Sequence, residues 1–195
     1  MPRPRSFDPE TVRDRIAEVF TAHGYRGTSL AMLTEAAGLG KQSLYNAFGD
    51  KQALYLQSLG CMQQRMAAAQ GVIEAAPTGR AAIEGFFEGI ATLCSHPDPA
   101  VHTCVVSSGL LEGIEDPAIA SDLRSKWQAT RGLLQGAVLR GQADGTIRND
   151  LPASDLSRLL VTLMSGLRVT GRVVDGIGEL RSTVRLGLQM LWPPP

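Results

Sequence analysis

Apolar residues in this chain recur at three- and four-residue steps, and no stretch of useful length alternates as a strand would. Val12, Ile16, Ala17, Val19 and Phe20 form the first such face. Asp8-Pro9-Glu10 starts it, with Asp8 placed to cap, Pro9 suited to the first helical position and Glu10 near the positive end of the dipole. Gly24 stops it. Thr28 or Ser29 then caps a short helix through Leu30, Leu33 and Ala37, which Gly38 ends. A third short helix covers about Lys41 to Phe48, and Gly49-Asp50 breaks it.

Beyond Lys51 the pattern changes to longer helices. Tyr55, Leu59, Met62, Met66, Ala69 and Ile73 form one stripe, which predicts a single continuous helix up to Pro77-Thr78-Gly79. Ile83, Phe86, Phe87, Ile90 and Cys94 mark the next. His96-Pro97-Asp98-Pro99 reads as a loop, because two closely spaced prolines cannot continue a helix. Further helices are expected over about Ala100 to Glu112 and Pro117 to Ala143, with a turn at Asp144-Gly145. Ser154 or Asp155 is expected to cap a helix carrying Leu156, Leu159, Leu160, Leu163, Met164 and Leu167. A last helix carries Leu180, Val184, Leu188 and Leu191 before Pro193-Pro-Pro. The fold class is all-α, with about nine helices and no internal repeat.

Composition changes this picture little. The formal net charge is zero, so bulk electrostatics do not mark a nucleic-acid binder, and any such role must rest on local arrangement. The odd cysteine count and irregular spacing of Cys61, Cys94 and Cys104 argue against a disulfide framework. Met1–Ser6 is basic, but no apolar run follows it and none approaches a membrane span, so a cytoplasmic protein without membrane contact is expected.

Two short helices joined by a glycine-containing turn outline a helix-turn-helix, whose second helix enters the major groove by its first turn. That turn offers Lys41, Gln42 and Ser43, types able to read base edges, while Leu44 and Phe48 face the neighbouring helices. Tyr45 and Lys51 fall where they could meet phosphates. Thr28 and Ser29 begin the preceding helix, whose free amides favour a phosphate. The plain alternative for the polar trio is a solvated helix face. Gly38-Leu-Gly-Lys-Gln-Ser43 is not a phosphate-binding loop, since Glu35 stands where its first glycine belongs and no strand precedes it.

The segments Gly24-Tyr-Arg-Gly-Thr-Ser-Leu30 and Glu35-Ala-Ala-Gly-Leu-Gly-Lys-Gln-Ser-Leu-Tyr-Asn-Ala-Phe-Gly-Asp-Lys-Gln-Ala-Leu54 resemble the tetracycline-repressor (TetR) family over roughly the first fifty-five residues. The resemblance implies a DNA-binding head over residues 1–50 and a ligand-binding, dimerising body over 51–195. It implies phosphate contact by Thr28, groove contact by Lys41, Gln42 and Ser43, and backbone clamping by Tyr45 and Lys51. Asn46-Ala47 departs from the common pair ending in histidine, which leaves Asn46 as the replacement contact. Residues 1–58 carry a surplus of only one positive charge, and Arg3 and Arg5 supply a basic arm.

After about Gln57 the resemblance is loose. A pocket between helices is expected, with Met62, Met66, Phe86, Phe87, Cys104, Ser107, Trp127 and Met164 as candidate lining and an apolar or aromatic effector. Leu156, Leu160, Leu163, Leu167, Leu180, Val184, Leu188 and Leu191 are the candidate seam of a homodimer, although faces of this kind also bury inside one subunit. Gly166 and Gly171 each cost their helix about 1 kcal/mol relative to alanine, which close helix approach would explain. The expected partners are therefore a double-stranded DNA operator, a small-molecule effector and a second copy of the chain. No cofactor and no enzymatic site are expected. One alternative is a metal- or redox-responsive regulator using Cys94, His96, His102 and Cys104, whose spacing does not match ordinary zinc patterns. Another is a helical ligand-binding module without DNA binding.

Overall fold

The computed structural model describes residues 7–60, 62–96, 104–174 and 176–193, without the side chains of 62–65. Arg3, Arg5, Cys61, Pro97–Pro99, His102 and the side chain of Met62 therefore lie outside the described residues. These hold ten helices and no strand: α1 (Pro9–Gly27), α2 (Leu30–Ala37), α3 (Lys41–Phe48), α4 (Lys51–Gly60), α5 (Met62–Ala75), α6 (Gly79–Cys94), α7 (Val105–Glu112), α8 (Pro117–Ala143), α9 (Ala153–Thr170) and α10 (Ile177–Gln189).

Local chemistry sets most of the boundaries. The Asp8 carboxylate accepts from the amides of Glu10 and Thr11, as its position before Pro9 predicts. Gly24 breaks α1 with φ 70° and ψ 179°, and one further turn runs to Gly27. Ser29 caps α2, and Gly38 ends it in the left-handed conformation. Ser154 and Asp155, expected as caps, instead lie in the first turn of α9. Pro152 occupies the capping position and offers no side-chain acceptor, so this helix starts without a side-chain cap.

The chain forms two compact units, residues 1–63 with 104–124 and residues 64–103 with 125–195. In the first, α1 packs on α2, α4 and α7, and α2 on α3. Its core holds Val12, Ile16, Phe20, Leu33, Leu44, Leu54, Tyr55, Leu59, Ile119 and Leu123, all buried. Each such aliphatic or aromatic side chain contributes about 1.5–3 kcal/mol on burial. Phe20 meets Tyr55 edge-on at 5.0 Å between centroids, and Tyr25 meets Tyr55 at 4.9 Å. Gly109 permits α7 to lie close to α4, since a Cβ there would stand 2.5 Å from the Tyr55 hydroxyl.

The second unit joins α6, α9 and α10 with the later part of α8 around Ile83, Phe87, Leu134, Val138, Leu160, Leu167 and Leu188. Gly171 ends α9 against α6, where a Cβ would come 2.8 Å from that of Cys94. Close approach thus explains Gly171, but the contact lies inside the chain. Nothing crowds Gly166.

Candidate nucleic-acid interface

Helix α3 presents what a groove-reading helix needs. Leu44 and Phe48 are buried in the first unit, and this holds the helix down along one side. Lys41, Gln42, Ser43 and Asn46 are exposed along the other. Gly40 at the capping position provides no side chain, so the first-turn amides keep their capacity to donate, and no acidic residue stands in that turn. Gln42 Nε2 donates to Asn46 Oδ1 at 2.9 Å, which fixes both amides one turn apart. Lys41 Nζ lies 5.9 Å from the centre of the half-buried Tyr45 ring.

Two expected phosphate contacts sit differently. Thr28 is buried, and its hydroxyl donates to the Gly24 carbonyl oxygen at 2.6 Å. Its side chain therefore closes the break in α1 and is not presented to a phosphate. Ser29 is exposed and remains at the α2 start, with its Oγ accepting from the Met32 amide. Lys51 is half-buried with Nζ 4.8 Å from the centre of the Tyr25 ring. Burial pushes its ammonium below the ordinary lysine range, and Glu112 opposes that shift.

Glu112, which sequence reasoning did not single out, ties α7 to this head. Its Oε1 accepts from the Tyr25 amide at 2.8 Å and its Oε2 from the Arg26 amide at 2.9 Å. The carboxylate fills the space a Gly24 side chain would occupy, since a Cβ there would stand 1.9 Å from Oε1. Asp116 does similar work nearby: it accepts from the amides of Ala118 and Ile119 at the start of α8 and from Gln52 Nε2 at 2.7 Å. The Ile119 amide and the Gln52 side chain hold its carboxyl below the ordinary 3.8. A depressed folded value means that the stabilisation is fully present above that ordinary value and is lost as pH falls through the lower one. Asp116→Asn should therefore flatten the acid limb of a stability-against-pH curve below about pH 4. An unchanged limb would show that these bonds do not depend on the charge.

The other candidate residues divide between the units. Met66, Phe86, Phe87, Trp127 and Met164 belong to the second, where Phe86 and Phe87 are buried and Trp127 and Met164 partly so. Thr130 Oγ1 donates to Met66 Sδ at 3.5 Å. Cys104 and Ser107 belong to the first unit. Cys94 is buried in the second, and among the described residues no three His, Cys, Asp or Glu side chains come together as a metal site. Of the proposed dimer seam, Leu156, Leu160, Leu167, Leu180, Val184, Leu188 and Leu191 are buried in the chain's own core, and Leu163 packs on it. Among the described residues, the large apolar side chains left open on and beside α9 and α10 include Leu151, Leu159, Val169, Val173, Leu186 and Met190.

Residues 13–57 match the family of bacterial regulatory proteins described as the tetR family. Across 193 residues, 98% of this chain and 100% of the relative, the chain is 27% identical to an uncharacterised HTH-type transcriptional regulator, YezE of Bacillus subtilis. It is also 27% identical over 194 residues to the HTH-type transcriptional repressor ComR of Escherichia coli, covering 98% and 91% of the two chains. The TetR-family transcriptional regulator CifR, solved as a cysteine mutant with 26-bp double-strand operator DNA, superposes with a TM-score of 0.87 at 28% identity, covering 98% of this chain and all of that one. The chain is thus similar to the TetR family in its N-terminal segment and in its fold. The matched segment runs from α1 into α4 and contains all of α2 and α3. Among the described residues no helix is long and apolar enough to cross a membrane.

Proposed function

We propose that this protein is a cytoplasmic transcriptional repressor of the TetR type, a homodimer that holds a double-stranded operator through α3 and leaves it when a small molecule binds the second unit. The observation that carries this reading is the first turn of α3. It is exposed, free of acids and backed by buried Leu44 and Phe48, within the segment matched to the family. That the related CifR was solved on operator DNA supports the same use of the head. The roles follow from chemistry. Gln42 and Lys41 read base edges, Ser43 and Asn46 assist them, and Ser29, Tyr45 and Lys51 meet the backbone.

The direct test is binding of purified protein to the DNA upstream of its own gene, with random competitor, at two salt concentrations. Saturable binding that survives competitor is expected, weakening as salt rises with a slope set by a few phosphate contacts per subunit. Gln42→Ala should lower the preference for operator over random DNA about 5- to 150-fold, the equivalent of roughly 1–3 kcal/mol at the contacted base. Lys51→Ala should weaken operator and random DNA alike. Equal losses from both changes on both DNAs would overturn this division of roles.

A dimer places two heads about 34–36 Å apart, one helical turn of DNA. Because the inward leucines of α9 and α10 are spent on the chain's own core, pairing in this reading uses the outward stripe of Leu159, Gly166, Val169 and Val173 with Leu186 and Met190. Leu186, 63% exposed in the single chain, is the sharpest probe. Leu186→Asp should convert a dimer to monomer in sedimentation and lower operator affinity by at least about tenfold, since roughly 1.4 kcal/mol of lost interface energy suffices for that factor. A variant that sediments like the parent chain would move the interface elsewhere.

A further inference from the structure

Arg168 inverts the usual relation between charge and burial in the second unit. It lies in the last turn of α9, is only 8% exposed, and its Nε and Nη1 are buried with no hydrogen-bond partner. Among the described residues of that unit, Arg80 pairs with Glu84, Arg148 with Asp150, Arg158 with Asp155 and Arg181 with Glu88, each pair at least partly open to solvent. Arg140, whose Nε is also buried without a partner, still donates from Nη2 to the carbonyls of Ile73 and Thr78. Arg131, whose Nε is likewise buried without a hydrogen-bond partner, keeps the face of Trp127 at 6.0 Å. Among the described residues Arg168 is thus the most deeply buried cation of the unit, and two of its nitrogens are buried without a partner.

Neighbouring hydroxyls on α9 do not repair this, which leaves the partial charge at the helix C-terminus as what α9 itself offers. The Ser157 and Ser165 hydroxyls donate to the carbonyls of Ser154 and Val161 in their own helix. Helical spacing sets Val161 and Met164 on the same side as Arg168, an apolar surround. A guanidinium cannot shed its proton to escape burial, and an unpaired buried charge is among the costliest features a fold can carry. Such a group persists where something other than the fold supplies the counter-charge.

We infer that Arg168 anchors an anionic small molecule, an apolar body bearing a carboxylate, in the second unit. Val161 and Met164 meet the body of the molecule and the guanidinium takes its carboxylate. This deepens the effector reading given above and rests on it. It replaces the wholly apolar or aromatic effector expected from the sequence with an amphiphilic acid. The charge supplies selectivity, because a neutral isostere leaves the guanidinium buried and unpaired.

The test uses the full-length protein and its Arg168→Met and Arg168→Lys variants, followed by thermal unfolding without and with octanoate, benzoate and the matching amides. Without ligand, Arg168→Met should raise the unfolding midpoint by about 2–4 °C or more, because a methionine removes the unpaired charge while filling the space. A lowered midpoint would show that the protein itself compensates the guanidinium and would overturn the inference. At one hundred times its dissociation constant a bound carboxylate should raise the parent's midpoint by about 5–10 °C. The amides should not, and Arg168→Met should lose the effect. Equal shifts from acids and amides, equal shifts in parent and variant, or no shift with either acid would each count against the anchor. Arg168→Lys keeps the charge but not the guanidinium, and should retain part of the response. Operator binding measured in parallel separates the two readings. A carboxylate that binds through Arg168 without releasing DNA leaves the anchor standing and removes the effector role. Release by a neutral amide, equal in Arg168→Met, does the reverse.

Discussion

Gly79→Ala should be the most damaging single-atom addition to the second unit, costing about 3 kcal/mol or more and lowering the unfolding midpoint by roughly 6–12 °C. The reason is the company a Cβ would keep. It would stand 2.2 Å from the Gly141 nitrogen, 2.3 Å from the Gly141 Cα and 2.6 Å from the Ala137 carbonyl oxygen. All three are backbone atoms of α8, so no rotamer change can make room. The start of α6 is also stitched to the end of α8 and the turn after it. The Gly79 amide donates to Asp144 Oδ2 at 2.8 Å, and the Arg80 amide to Thr146 Oγ1 at 3.2 Å. Pushing the helices apart would strain both bonds together. Gly89→Ala in the middle of α6 is the matched control. Nothing lies within 4 Å of a Cβ there, so relief of helix entropy should stabilise the chain by about 0.5–1 kcal/mol. Thermal unfolding of the two variants decides the matter. Similar midpoints would mean that α6 and α8 are not in such close contact.

How far the sequence could be read depended on the range of the forces involved. The bounds of α2, α3 and α8 follow from residues within a turn of each end, such as Gly38 in its left-handed cap or the glycine between Phe48 and Asp50, and these were legible. The exposure of Lys41, Gln42 and Ser43 was legible for the same reason, because Leu44 and Phe48 are buried on the other side. Thr28 was ambiguous. A threonine between two helices can face a phosphate or close the helix behind it, and only the position of the Gly24 carbonyl decides. The leucine seam went inward because α9 carries two apolar stripes. The richer one, through Leu156, Leu160 and Leu167, is spent on the core and leaves the sparser one outside. Periodicity ranks such faces but does not say which is a subunit's own. Arg168 and Glu112 were beyond reach altogether. Nothing local distinguishes a buried arginine from a solvated one at the end of a helix, and the partners of Glu112 are 86 and 87 residues away.

That long reach makes Glu112 the more informative variant for function. Each of its two bonds joins a carboxylate to a backbone amide, a charge-assisted kind contributing about 1.5–3 kcal/mol net. Glu112→Ala should thus destabilise the first unit by roughly 2–4 kcal/mol, and Glu112→Gln, which keeps a single acceptor oxygen, by about half as much. The consequence for DNA follows from where the amides are. Tyr25 and Arg26 lie between the break at Gly24 and the start of α2, so the carboxylate fixes the last turn of α1 against which Thr28 and Ser29 are placed. Loosening it leaves α3's side chains intact but blurs their position relative to the backbone contact proposed at Ser29. Operator affinity should fall at least about tenfold in Glu112→Gln under conditions where the variant remains folded, with base preference preserved, since no reading residue has changed. A cycle with Gly24→Ala isolates the contact itself. Alanine at Gly24 is strained by its positive φ and by the carboxylate at 1.9 Å, so removing the Glu112 side chain should relieve part of its cost and give a non-additive pair. Strict additivity would separate the two residues. A loss of base preference in Glu112→Gln would mean that α7 positions the reading helix itself rather than the turn that carries its phosphate contacts.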